Sequence, residues 1–334
     1  MNSISTALLA LLLAFGIGMV IAPMVIKMCT RLKASQTILS YVTQHKGKQG
    51  TGTMGGIIFI VSAVIAGLAF GIFKHETGRM ALLITVAYGV IGFLDDFIKV
   101  RFKHNKGLKA YQKIIAQLAV ALIAAWFAYK SDYVGSRIVI PFAGKSVSLG
   151  IWYVPFAAFV FVALTNAVNL TDGIDGLATA STTVFMLFFG IIFAYAVWDS
   201  GLSGAVLVER EHASMLSFIA VMLGGLLCFY WFNCNKASIF MGDTGSLALG
   251  GAVASVALFS KNPLISILIG ITFVVSCISV IIQVISIKLT KRRVFLMSPY
   301  HHHLELKGIN ESKIVGYYSI IGIVAGIVAM IITF

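Results

Sequence analysis

The chain has 334 residues, 59% of them hydrophobic and 11% charged, with a mean hydropathy of +0.97. Soluble domains are about 45 to 50% apolar and about 25% charged, so this much apolar surface cannot be enclosed in one water-exposed globule, and a soluble enzyme is excluded. The net charge of +13 suits nucleic acid or an anionic surface in the abstract, but in a membrane chain it first reflects basic residues gathering in cytoplasmic loops, and no nucleic-acid partner is expected.

A helix needs about 20 apolar residues to cross a hydrocarbon core. Ten such runs are read, at about 5–26, 53–73, 79–95, 111–129, 151–168, 176–197, 213–232, 239–259, 263–287 and 314–333. The expected fold is an all-α membrane protein, residues 1–334 forming a single polytopic domain of ten transmembrane helices. Lys27 is the first basic residue, so no positive leading region precedes the first run, which is expected to persist in the mature protein. The loops alternate in charge, 18 basic residues in one set against 7 in the other, and the positive-inside bias places the richer set in the cytoplasm and both termini extracytoplasmic. Residues 137–149 combine the β-branched stretch Ile138-Val139-Ile140 with turn residues Pro141 and Gly144, which predicts a short periplasmic hairpin. Cys29, Cys228, Cys234 and Cys277 lack any metal-binding spacing and are expected as free thiols.

The acids are the informative residues. Asp95 and Asp96 follow an apolar run with no polar spacer, and adjacent helical positions point about 100° apart, so the two cannot both face water from one side. Lys99, one turn on, offers the plainer reading of a surface ion pair. Asp172 and Asp175 lie in a stretch with no Lys or Arg between Lys145 and Arg210, so their partners must come from elsewhere in the fold or from a ligand. Around them, Asn166, Asn169, Gly173 and Gly176 make a polar loop opening into the sixth run, suited to receiving an anion, although such a composition also makes ordinary turns. Asp243, in Phe240-Met-Gly-Asp-Thr-Gly-Ser246, opens the eighth run, where a carboxylate also suits a helix N-terminus on dipole grounds alone.

Three loops thus carry carboxylates to one face of the bilayer, beside basic loops. Hard oxygens at one level suit Mg²⁺, and the combination points to a diphosphate-bearing substrate. In the last cytoplasmic loop, Ser298-Pro-Tyr-His-His-His303 places His301, His302 and His303 where neutral imidazoles can donate to phosphate oxygens. Zinc is the weaker reading, because consecutive histidines on a loop lack the spread of a four-coordinate site. Pro299 marks a break in any helix there.

Taken in order, Thr53-Met-Gly-Gly56, Asp95-Asp96, residues 166–176, 240–246 and 298–308 resemble the polyprenyl-phosphate N-acetylhexosamine-1-phosphate transferases, and among them the branch that uses a muramoyl-pentapeptide donor. The resemblance implies transfer of phospho-MurNAc-pentapeptide from UDP-MurNAc-pentapeptide to undecaprenyl phosphate, giving lipid I and UMP with Mg²⁺ at the cytoplasmic face of the bacterial inner membrane, in peptidoglycan synthesis. By position it implies a catalytic group of Asp95, Asp96, Asp243 and His301, with Asp243 as metal ligand. It likewise implies a substrate pocket of Lys48, Thr53, Asn169, Asp172, Asp175, Asn233 and Phe240, the last stacking on uracil, with His302 and His303 beside the phosphates. Gly52 stands where the family usually has proline, which frees the backbone before Thr53. Two routes fit the residues: direct displacement, with Asp95 taking or positioning the proton of the lipid phosphate, or a covalent intermediate on Asp95 or Asp96. The rivals are a transferase using UDP-GlcNAc and, from another class, an ion-coupled secondary transporter. Gly322 and Gly326 form a small-xxx-small pattern that permits close helix contact, either in a homodimer or within one subunit.

Overall fold

The computed structural model describes residues 2–31, 51–102, 107–141, 143 and 145–334. The chain is a nearly all-helical, multi-span membrane protein. Its helices are α1 (Ser3–Arg31), α2 (Gly56–Ala69), α3 (Glu76–Phe102), α4 (Ala110–Lys130), α5 (Tyr153–Thr171), α6 (Leu177–Leu202), α7 (Val206–Asn233), α8 (Gly242–Phe259), α9 (Pro263–Ile269), α10 (Ile271–Thr290), α11 (Tyr300–Leu306) and α12 (Glu311–Thr333). Among the described residues, nine helical segments are long and apolar enough to cross a membrane, and α2 is a shorter apolar helix. The expected hairpin is present: β1 (Arg137–Ile140) pairs antiparallel with β2 (Lys145–Ser148), and the Val139 amide donates to the Lys261 carbonyl between α8 and α9 at 2.8 Å. The four cysteines are free thiols.

Three runs differ from the sequence reading, each for a local reason. The run at 53–73 yields only the 14 residues of α2. Residues 52–56 are used in pairing with the segment before α8, and Gly71 turns the chain at φ +69°. The same pairing delays the eighth helix from 239 to Gly242. The ninth run is split at Gly270, where a Cβ would lie 2.8 Å from the Ser266 carbonyl oxygen.

Helix α8 is the axis. All but one of its 18 residues are buried, and its small side chains admit its neighbours closely. A Cβ on Gly250 would lie 2.4 Å from Thr165 Cα of α5, and one on Gly251 would lie 2.7 Å from the Tyr88 ring of α3. Helices α1, α4, α10 and α12 instead expose Leu12, Val20, Ile123, Ile285 and Ile331, as lipid-facing helices do. The far end of α3 is fixed by Glu211 of α7, which accepts from the Thr77 amide at 2.9 Å and its hydroxyl at 2.7 Å. Gly326 of α12 packs on the Phe188 ring and Gly322 on Val184, so the small-residue stripe is used within the subunit, against α6.

Candidate active site

The C-terminal part of α3 and the first turn of α8 meet side by side, and the sequence at the crossing shows why. A Cβ on Gly92 would lie 2.0 Å from the Asp243 carbonyl oxygen, so only glycine lets the two backbones touch. Asp95 and Asp96 follow Gly92 by one turn, and Asp243 is the second residue of α8. One ligand oxygen from each of the three carboxylates lies within 4.8 Å of the others.

Each carboxylate is held differently. Asp95 Oδ1 accepts from the Leu108 amide at 2.8 Å, and Oδ2 pairs with Lys99 at 2.5 Å. Asp96 Oδ2 accepts from the amide and hydroxyl of Thr244 at 2.9 and 2.7 Å, while its buried Oδ1 has no hydrogen bond and stands 3.7 Å from the Lys99 ammonium. Asp243 Oδ1 accepts from Asn169 Nδ2 at 2.7 Å, and its Oδ2 meets Lys99 at 2.6 Å and Lys113 at 3.2 Å. Asn169 also donates to Ser246 Oγ at 2.7 Å. Lys99 therefore makes the anticipated ion pair with Asp95 and bridges to Asp243 besides.

Residues 52–56 run beside 239–241. The Phe240 amide donates to the Gly52 carbonyl at 2.8 Å, the Gly55 amide to Phe240 at 2.9 Å, and the Gly56 amide to Met241 at 3.1 Å. Gly52, where proline would be usual, is thus tied by its carbonyl. The pairing puts Thr53 at the acidic cluster: a Cβ on Gly242, at φ +70°, would lie 2.7 Å from Thr53 Oγ1 and 2.5 Å from Asp96 Oδ2. Phe240 is half-buried and fixed through its backbone. Below it, Asn233 accepts from the Thr179 hydroxyl at 2.9 Å and donates to the Ile239 carbonyl at 3.0 Å, and Asp175 Oδ2 accepts from the Ala237 amide at 3.1 Å. The partner that Asp175 lacked in its own stretch thus comes from the loop after α7.

The loop 172–176 faces the histidines, which lie on the short helix α11 and not on an open loop. A Cβ on Gly173 would lie 2.1 Å from His301 Nε2 and 3.0 Å from His302 Nε2. His301 is fully buried, and neither ring nitrogen has a hydrogen-bond partner. Burial first, then neighbouring His302, lowers its pKa to about 3 against the opposing pull of Glu305, so the ring is neutral. His302 Nδ1 meets Glu305 at 2.5 Å. His303 Nδ1 accepts from the Leu296 amide at 3.1 Å and the ring stacks on Tyr300, so it braces the preceding loop. Asp172 is half-buried and makes no hydrogen bond through its carboxylate among the described residues. Desolvation, followed by the charges of Asp243, Asp96 and Asp175, raises its pKa to about 8.

The structure therefore brings Asp95, Asp96, Asp243, Asn169 and Thr53 into one cluster. Phe240, Asn233 and Asp175 are joined through the loop that follows α7, and Asp172, His301 and His302 through Gly173. Lys48 lies outside the described residues. Lys113, Thr244 and Ser246 were not singled out in the sequence, and only Lys113 carried a signal, as the basic residue nearest the start of the fourth run. The three carboxylates fit a divalent cation: their oxygens already surround the Lys99 ammonium, and Asp96 Oδ1 is buried without a hydrogen bond.

Residues 78–261, more than half of the chain, match the family described as glycosyl transferase family 4, and the chain belongs to that family. Its similar relatives include the phospho-N-acetylmuramoyl-pentapeptide-transferases of Clostridium novyi (strain NT), 43% identical over 96% of this chain and 94% of the relative, and of Desulfitobacterium hafniense (strain DSM 10664 / DCB-2), 43% identical over 97% and 96%. That of Clostridium perfringens (strain 13 / Type A) is 43% identical over 95% of each chain.

Proposed function

We propose that the chain transfers phospho-MurNAc-pentapeptide from UDP-MurNAc-pentapeptide to undecaprenyl phosphate, forming lipid I and UMP in peptidoglycan synthesis. The observation that carries the site is the convergence of Asp95, Asp96 and Asp243 on one point at the N-terminus of α8, with Lys99, Lys113 and Asn169 around them. The near full-length likeness to muramoyl-pentapeptide transferases favours that donor over UDP-GlcNAc. The basic residues at this end of the helices favour a cytoplasmic site in the bacterial inner membrane, with both termini outside.

Asp95, Asp96 and Asp243 would hold Mg²⁺, Asp243 foremost, and the ion when bound neutralises charge on the donor diphosphate. Lys99 and Lys113 hold Asp243 in place and lie close enough to meet phosphate oxygens. Asn169 fixes the other Asp243 oxygen. Asp95 takes or positions the proton of the lipid phosphate, whose oxygen attacks the sugar-proximal phosphorus in line with departing UMP. Neutral His301, with no partner at either nitrogen, donates to a phosphate oxygen across Gly173. His302 stands beside it, and the half-buried Phe240 ring stacks on uracil while Thr53, Asn233, Asp172, Asp175 and Lys48 complete the pocket. Both Asp95 oxygens and Asp96 Oδ2 have partners, which supports direct displacement over a covalent intermediate, for which Asp96 Oδ1 is the open oxygen.

The test is transfer from each labelled donor to undecaprenyl phosphate with and without Mg²⁺. Lipid I formed only from the muramoyl donor supports the reading, and equal use of UDP-GlcNAc refutes its specificity. Labelled phospho-sugar attached to protein in the absence of lipid would refute direct displacement.

A further inference from the structure

Beneath the acidic cluster, the same four helices build a second polar tier inside the membrane. Gln117 of α4 is fully buried, and its Oε1 accepts from Asn166 Nδ2 of α5 at 2.7 Å. The Tyr88 hydroxyl of α3 donates to the Gln117 backbone carbonyl at 3.1 Å, and Gly250 and Gly251 of α8 close the tier against Thr165 and Tyr88. One turn above Gln117 stands Lys113, and one turn above Asn166 stands Asn169. Those two residues grip opposite oxygens of Asp243.

Bulky packing fixes α4 mainly at its far end, where the Phe127 ring meets Phe259 of α8 at 6.0 Å between centroids. The buried face of α4 is Gln117, Ala121, Ala124, Ala125 and Ala128, while Ile115, Leu118, Leu122 and Ile123 face outward. Nearer the site the row of alanines lets the helices approach closely but supplies few side-chain ridges to set the register. Gln117 is the one hydrogen-bonding side chain in that face, and hydrocarbon offers its partner no water as a substitute. Gln117 Nε2 itself is buried without a hydrogen bond, so apolar residues of the same size at both 117 and 166 would cost little stability.

We infer that Gln117 is a positioning residue of the transfer site: held by Asn166, it locks α4 against α5 and so sets Lys113 and Asn169 on the two oxygens of Asp243. The inference rests on the reading of Asp243 as the centre of that site.

The test uses the full-length protein in lipid nanodiscs, with Q117M, N166L, K113M and their pairs, each checked by thermal unfolding. Q117M and N166L are each expected to lower kcat by about ten-fold with the donor KM within about three-fold of wild type, because the register chiefly sets the hold of Lys113 and Asn169 on Asp243 and any direct donor contact of theirs is the smaller effect. The Q117M/N166L pair should fall no more than about three-fold below the worse single variant, and Q117M should cost K113M less than about three-fold, since the lysine it positions is already gone. Wild-type kcat in Q117M, a loss confined to KM, or losses that multiply would overturn the inference. Should Q117M fail to fold, non-multiplying losses in K113M/N166L carry the same test. A fully active D243N would bring down the site reading itself, whereas an inactive D243N beside a normal Q117M brings down only this inference.

Discussion

Gly92→Ala is the sharpest perturbation that the site geometry offers. The added methyl would sit 2.0 Å from the Asp243 carbonyl oxygen and 2.3 Å from its carbon, both backbone atoms that no rotamer change can move aside. Reaching ordinary contact at 3.4 Å requires α3 and the start of α8 to part by about 1.4 Å at that point. The displacement falls directly on the cluster, because Asp95 is one turn from Gly92 and Asp243 is the residue struck. Lys99, now 2.5 Å from Asp95 and 2.6 Å from Asp243, cannot keep both contacts across a gap widened that far. A misplacement of about 1 Å among reacting groups costs about 100-fold in rate, and overpacking of this kind costs about 1 to 3 kcal/mol of stability. G92A should therefore remain folded, unfold at a somewhat lower temperature, and show kcat reduced by about two orders of magnitude in the lipid I assay. Gly16→Ala is the control, since nothing lies within 4 Å of a Cβ there, and it should be silent. A kcat for G92A within about three-fold of wild type would refute the argument that backbone contact sets the carboxylate geometry.

D243N should reduce transfer to a residual rate that no longer rises with Mg²⁺, measured by titrating the metal in the same assay; near-normal turnover takes Asp243 out of the metal site. F240A should raise the donor KM by about ten-fold, the loss of one base stack of about 1 to 3 kcal/mol, and an unchanged KM places uracil elsewhere. His301 has a folded pKa of about 3 against 6.5 in the unfolded chain, so between those values the unfolded state binds more protons. The contribution of His301 to stability is thus full above pH 6.5 and is lost as pH falls towards 3, and unfolding temperature should drop with acid more steeply in wild type than in H301Q. The same neutrality means that the acid limb of kcat/KM should lie at the same pH in both proteins, at a lower plateau in H301Q; a moved limb assigns that ionisation to His301.

Much of this was legible in the residues because burial in lipid makes polar groups conspicuous. Asp95, Asp96 and Asp243 stood out by adjoining apolar runs, and the fold brings them together as that reading required. The hairpin followed from β-branched residues between turn formers. Other features depend on contacts that no local pattern encodes. The shortening of α2 and the late start of α8 come from pairing between residues 52–56 and 239–241, nearly two hundred positions apart. Lys113 has the sequence setting of any cytoplasmic loop cation, and only the placement of the start of α4 beside Asp243 gives it a partner there. The histidines looked like a loop, yet Pro299 precedes a helical turn, and Gln283 of α10 holds the preceding segment through the amides of Val294 and Phe295. Gly92 gave no sign at all, since a glycine in a long apolar helix is common and its neighbour lies in another helix.

The electrical balance of the site argues for a divalent cation independently of any likeness. Three carboxylates against the ammonium groups of Lys99 and Lys113 leave one net negative charge among the charged groups in contact. A diphosphate approaching that set meets repulsion of about 4 kcal/mol for each like pair at 4 Å under an effective dielectric constant of about 20. Lysines alone therefore do not make the pocket attractive, and adding two positive charges reverses its sign. The placement argues equally against transport. Asp243 is the second of the 18 residues of α8, a helix about 27 Å long, so the cluster stands at one end of a spanning helix and not at its middle, where transporters keep their ionisable groups. A place at the helix end suits a reaction between a soluble nucleotide and a lipid phosphate at the interface.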